Sequence, residues 1–220
     1  SGGAQEVSQQ DVDISSLRFS SRFDDRDNLF APHSGNLAEL SLEYASAPLG
    51  SQLEFFRFHL SAATYFGFGK RTTLAVGLRT GGIYPVRQQD AIPLQERFFS
   101  GGENSVRAFR ENELLPVGQD GAPLVDEDGN SLGGEAFATF TVELRQLLWG
   151  NLEGALFVDS GALVPEAADL FDPFEVRTGA GVGLRYLLPI GPVRLDAAWN
   201  TDPGPGEDTF VLHFSVGMAI

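Results

Sequence analysis

Apolar residues in this chain recur at every second position rather than at helical spacing. Successive side chains of an extended strand point to opposite sides, so such alternation gives each strand one apolar and one polar face. About nine strands are predicted, near residues 15–24, 37–46, 53–66, 71–84, 136–148, 152–163, 176–188, 192–200 and 209–220. The seventh is the clearest: Val176, Thr178, Ala180, Val182, Leu184 and Tyr186 share one face, and Arg177, Gly179, Gly181, Gly183 and Arg185 the other. In the eighth, Val193, Leu195, Ala197 and Trp199 alternate with Arg194, Asp196 and Asn200. The ninth sets Phe210, Leu212, Phe214, Val216, Met218 and Ile220 against His213, Ser215 and Gly217, and the fifth sets Phe140, Val142 and Leu144 against Thr141, Glu143 and Arg145. An apolar outer face over a polar or glycine inner face is the arrangement of a lipid-embedded barrel. A soluble antiparallel sandwich shares the alternation. Charges of both signs on the polar faces favour the barrel, whose lumen is wet.

Connectors alternate in length. Segments 24–35, 67–71, 149–151 and 189–192 are compact and read as periplasmic, which leaves 47–52, 87–135, 164–175 and 201–208 extracellular. Loop 87–135 is far the longest, and a connection of that size in a compact protein usually has a function of its own or no fixed structure. Residues 1–13 read as a polar loop, and 14–220 as one barrel domain. No charged segment followed by an apolar one opens the chain, so a secretion signal is expected to have been removed or to lie upstream.

Composition narrows the classes. Within 220 residues, 42% of them hydrophobic, no apolar run approaches the length of a membrane-spanning helix. The 26 glycines and 18 phenylalanines suit tight turns and aromatic girdles. A net charge of −15 argues against nucleic acid as a partner, because phosphate binding needs clustered Lys and Arg. With 0 cysteines there is no disulfide framework, thiolate metal site or cysteine nucleophile.

Candidate chemistry of the enzymatic or metal-binding kind is weak. Asp126, Asp128, Gly129 and Glu135 match part of a calcium loop, but Leu124 stands where its first carboxylate belongs. His33, His59 and His213 are scattered without zinc-site spacing. Ser100 lacks the strand-to-helix elbow of a hydrolase nucleophile. Gly179, Gly181 and Gly183 have neither the spacing nor the helix of a dinucleotide site. Period two puts all three on the inner wall, where they either leave a flat groove for a returning segment or relieve crowding at a curved wall. No enzyme, metal or cofactor is expected.

The most informative stretch is Arg97-Phe98-Phe99-Ser100-Gly101-Gly102-Glu103-Asn104-Ser105-Val106-Arg107-Ala108-Phe109, inside the long loop. Its end, Val106-Arg107-Ala108-Phe109, resembles the Val-Arg-Gly-Phe signature of the BamA/TamA superfamily of outer-membrane assembly barrels. Asp24-Asp25-Arg26-Asp27-Asn28 through Gly35 resembles a turn of that family, and Phe157-Val158-Asp159-Ser160-Gly161 the strand that receives its loop. Residues 191–196 and 213–220 resemble its last two strands. Two positions depart from the pattern. Ala108 replaces the motif glycine, which implies strain if that position needs a positive φ, and Ile220 stands where the family ends in an aromatic.

The resemblance implies an all-β, antiparallel transmembrane β-barrel segment, the C-terminal part of a sixteen-stranded barrel, with a long inward-folding loop. In that reading Arg107 meets Asp159 while stacking on Phe157, two residues away on the same face, and Glu143 is a second acceptor. Phe214, Gly217 and Ile220 belong to a terminal strand carrying an assembly signal, and the loop braces the wall opposite it. The implied function is folding and insertion of outer-membrane proteins through a seam at the terminal strand, in the Gram-negative outer membrane. Implied partners are lipids, unfolded outer-membrane proteins, and the absent N-terminal strands and POTRA domains from the same or another chain. A two-partner-secretion polypeptide transporter and a passive porin or structural barrel are the alternatives. Nine strands alone would leave two edges open, so closure is expected to need more strands.

Overall fold

The computed structural model describes residues 12–87, 91–118, 121–171, 175–204 and 206–217. Nine strands form one antiparallel sheet in chain order: β1 (Ser16–Asp24), β2 (Gly35–Ala45), β3 (Phe55–Phe68), β4 (Thr72–Pro85), β5 (Ala136–Trp149), β6 (Leu152–Val164), β7 (Arg177–Tyr186), β8 (Val193–Asn200) and β9 (Phe210–Val216). Each expected strand is present, with ends shifted by a few residues. The expected continuation of the ninth, including Met218 and Ile220, lies outside the described residues. β1 and β9 each pair with a single neighbour, so the sheet is open.

Local chemistry explains the turns. Between β5 and β6, Gly150 takes φ 56, a left-handed conformation that glycine adopts without cost, and a register shift between Leu147 and Trp149 eases the strand into the turn. Connector 25–34 is longer but closed by its own acids. Asp27 Oδ1 accepts the amides of His33 (2.8 Å) and Ser34 (3.1 Å), and Asn28 Oδ1 those of Phe30 (2.8 Å) and Ala31 (3.0 Å). The His33 ring then docks on the β3–β4 turn, with Nδ1 2.7 Å from Thr73 Oγ1 and Nε2 3.0 Å from the Gly69 carbonyl.

Polarity is inverted relative to a water-soluble fold. Phe140, Leu144, Leu156, Val182, Leu184, Leu195, Phe214 and Val216 are exposed on the outer face, whereas Glu143, Arg145, Asp159, Arg185, Arg194 and Asp196 are at most 2% exposed on the inner one. A continuous apolar exterior of this kind is stable against hydrocarbon, not water. The sandwich alternative also fails because no second sheet packs on the first among the described residues. No helix among the described residues is long and apolar enough to cross a membrane.

Buried apolar side chains gather where the long loop returns. Val106, Ala108, Phe109 and Leu114 pack with Leu163 of β6, bordered by Phe98 and Phe137. The bridges Phe98↔Gly134 and Ser100↔Leu114 fold the loop on itself before it reaches the wall.

The face assignment is directly testable. Nitroxide labels at positions 182, 195 and 214 are expected to collide with membrane-dissolved oxygen, and labels at 177 and 213 to be shielded. The reverse pattern in a relaxation measurement would mean a one-residue register slip.

Candidate functional site

Strand register arranges the inner face of β5–β9 in rows. One runs Thr141, Asp159, Gly179, Asn200, the next Glu143, Phe157, Gly181, Ala198, Val211, and a third Arg145, Ala155, Gly183, Asp196, His213. The middle row puts a carboxylate beside an aromatic ring and then two residues with almost no side chain. Arg107 lies on it.

Each of the three guanidinium nitrogens of Arg107 donates a hydrogen bond. Nε donates to Asp159 Oδ2 at 2.7 Å and Nη2 to Asp159 Oδ1 at 2.9 Å, a two-point grip on one carboxylate, while Nη1 donates to Glu143 Oε2 at 2.7 Å. The backbone amide of Arg107 adds a bond to Asp159 Oδ2 at 3.2 Å. The guanidinium carbon sits 3.4 Å from the centroid of the Phe157 ring, which covers the face that carries no donor. Arg107, Glu143 and Asp159 are each 1% exposed. Burial by itself would lower the Arg107 pKa. The hydrogen bond to Asp159 and the charges of Asp159 and Glu143 more than offset that, holding it above its ordinary value.

The pair belongs to a larger charged cluster. Arg185 Nη2 also donates to Glu143 Oε2 at 2.7 Å, and Arg185 Nη1 stands 3.3 Å from Asp196 Oδ1. Arg107 and Arg194 each approach Asp196 Oδ2 to 3.6 Å, and Arg145 approaches Glu143 Oε1 to 3.6 Å. Sequence alternation places Arg145, Arg185, Arg194 and Asp196 on the inner face, but nothing local in the chain shows that they join one cluster with Arg107.

The glycine track has a different purpose at each position. A Cβ on Gly179 would collide with Ala108 of the loop, one on Gly181 with the Phe157 ring, and one on Gly183 with the Asp196 carboxylate and the Arg185 guanidinium. Of the three, Gly179 alone makes room for the loop; Gly181 makes room for the ring that stacks on Arg107, and Gly183 for the Arg185–Asp196 pair. Gly161, which the sequence placed at the end of the receiving-strand motif but not in the glycine track, admits Val106, whose Cγ2 would stand 2.6 Å from an added Cβ.

Ala108 causes no strain, since Asn112 is the one described non-glycine residue with positive φ. The other sequence candidates sit apart. Asp126 Oδ1 closes its own turn by accepting the amides of Asp128 (3.0 Å) and Asn130 (2.8 Å). Ser100 Oγ faces Ser105 Oγ at 2.9 Å. The His59 ring lies 5.7 Å from that of Phe137. Phe214 is exposed on the outer face of β9, Gly217 follows that strand with φ 113, and Ile220 is outside the described residues. A second grip was missed in the sequence: Arg177 holds Glu207 of the β8–β9 connector through Nη2 at 2.5 Å and Nη1 at 2.9 Å, with the Phe109 ring 5.4 Å away.

An open sheet with an apolar exterior, a charged inner wall and a loop latched to that wall by an arginine defines a transmembrane β-barrel segment. The chain belongs to the Omp85 superfamily: the model of the Omp85 superfamily domain matches residues 3–220. It is 24% identical over 197 residues to the outer membrane protein assembly factor BamA of Nitratidesulfovibrio vulgaris, covering 89% of this chain and 24% of that protein. It is 31% identical over 135 residues to the chloroplastic outer envelope protein 80 of Arabidopsis thaliana, covering 56% of this chain and 15% of that one. Among solved structures, BamA from Haemophilus ducreyi lacking POTRA domains 1-3 superposes with a TM-score of 0.75 at 21% identity, covering 92% of this chain and 42% of that chain. The chain thus spans about a quarter of the length of the BamA relative. Membership makes it an Omp85-type barrel rather than an enzyme, in the outer membrane of bacteria or organelles.

Two sets of variants test the latch. Arg107→Ala and Asp159→Ala are each expected to weaken loop anchorage by about 3 kcal/mol, because each leaves a buried charge unpaired. The double variant should lose much less than the sum, and strictly additive losses in a denaturation series would contradict the pairing. Gly179→Ala should cost about 1–3 kcal/mol by overpacking against Ala108. Adding Ala108→Gly should restore most of that loss, and a double variant as unstable as Gly179→Ala would rule out this contact as the cause.

Proposed function

We propose that this chain forms the C-terminal part of a barrel that folds and inserts outer-membrane proteins, with β9 as one side of the seam receiving their strands. The observation that carries this reading is the buried latch that holds the long loop against the inner wall of a barrel of this family. Arg107 holds the loop against β5 and β6, and β9, the last strand of the described sheet, pairs with β8. An unpaired edge in hydrocarbon has backbone donors and acceptors that only another strand can satisfy, which makes it a template for an incoming chain. The partners are outer-membrane lipids, unfolded outer-membrane proteins, and the further strands and POTRA domains that close and feed the barrel, in a Gram-negative envelope. Similarity to assembly factors supports the same assignment.

Site-specific photo-crosslinking tests it. A photoreactive residue at position 212 or 214, in the protein in its native membrane, is expected to capture unfolded outer-membrane proteins. Steady ionic conductance with no captured substrate would mean a passive barrel. Capture of an extended secreted polypeptide at inner positions such as 141, and none at β9, would mean a polypeptide transporter.

A further inference from the structure

His213 is an inward-facing residue of β9, opposite Asp196 in the β8–β9 ladder. Its Nε2 lies 2.8 Å from the backbone carbonyl of Arg107. A carbonyl oxygen only accepts, so Nε2 carries the hydrogen and the imidazole is the donor. Arg107 is therefore held from both ends: its guanidinium by Glu143 of β5 and Asp159 of β6, its carbonyl by His213 of β9. One loop residue spans the wall from β5 to the terminal strand, across β7 and β8. The row between them allows this, because Gly181 and Ala198 leave the inner surface nearly flat.

The same loop reaches the connector that leads into β9. Arg110 Nη2 lies 2.7 Å from Asp208 Oδ2, and Phe109 lies beside the Arg177 guanidinium that grips Glu207. Asn200 and the amide of Gly204 also donate to Glu207, at 3.1 and 2.8 Å, so the connector itself is compact. An edge strand with backbone bonds on one side is prone to register slippage. Side-chain ties from the inner face are what can oppose it.

We propose that His213 is a positioning residue that couples the terminal strand to the seated loop, so that the latch at Arg107 sets the register and exposure of the β9 edge. This rests on the reading of β9 as the seam strand. It assigns the loop a task besides bracing the far wall, namely presenting the edge that an incoming strand would meet.

Hydrogen–deuterium exchange on the full protein, extracted in detergent from its native membrane, reads the coupling at segments 103–112 and 209–216. His213→Leu keeps the bulk and removes the donor, and His213→Gln places an amide donor the same number of bonds from Cα. The Leu variant is expected to exchange about five-fold faster in both segments, as the loss of one hydrogen bond implies, with the Gln variant close to the parent. If the Leu variant does not assemble, His213→Asn, whose donor falls a bond short, takes its place with the same expectation. Unchanged exchange in the donor-less variant, or a Gln variant that matches it, overturns the coupling whatever crosslinking at β9 shows. A parent protein that captures no substrate at β9 while giving the expected exchange pattern overturns the assembly reading and leaves the coupling standing.

Discussion

The guanidinium of Arg107 is taken out of water between two carboxylates and the face of a phenyl ring. Burial of a cation is tolerable only where its donors are met and its charge is matched. Meeting that condition requires β5 and β6 in the register that sets Glu143 beside Phe157, with Asp159 two residues further along the same face. It also requires a loop long enough to leave the sheet, fold back through its own bridges, and present Arg107 to the wall. The loop's length and the small residues beneath it are consequences of that one placement.

Small side chains and the groups they admit form complementary pairs. Ala108 fits because its opposite number is Gly179, and Val106 fits because its opposite number is Gly161. Close packing makes such pairs specific, since one methyl group too many on either side must displace the other.

The exterior imposes an opposite demand. Exposed Phe, Leu and Val on the outer face gain nothing from water, and the buried polar atoms gain nothing from lipid, so the sheet is stable only at the boundary between the two. Its open edges are the exception. Among the described residues β1 and β9 each pair on one side, and at β9 the inner face supplies further ties through His213 and the connector acids Glu207 and Asp208.

The strands, their faces and the turn chemistry were legible in the sequence, because period-two alternation and turn-forming acids and glycines act over a few residues. Arg177, Arg185, Asp196 and His213 were assigned inward on that basis, and resemblance to known barrels brought Arg107, Asp159, Phe157 and Glu143 together as a candidate set. What each inner residue touches was not legible. Those contacts depend on the register between strands and on where residues 86–135 return, and both are fixed by partners far away in the chain. Hence Gly179, Gly181 and Gly183 looked like one track but accommodate a loop methyl, a phenyl ring and an ion pair. For the same reason the loop, expected to brace the wall opposite the terminal strand, also touches that strand: the carbonyl of Arg107 carries no signal in the sequence, and only the folded path of the loop brings it to His213.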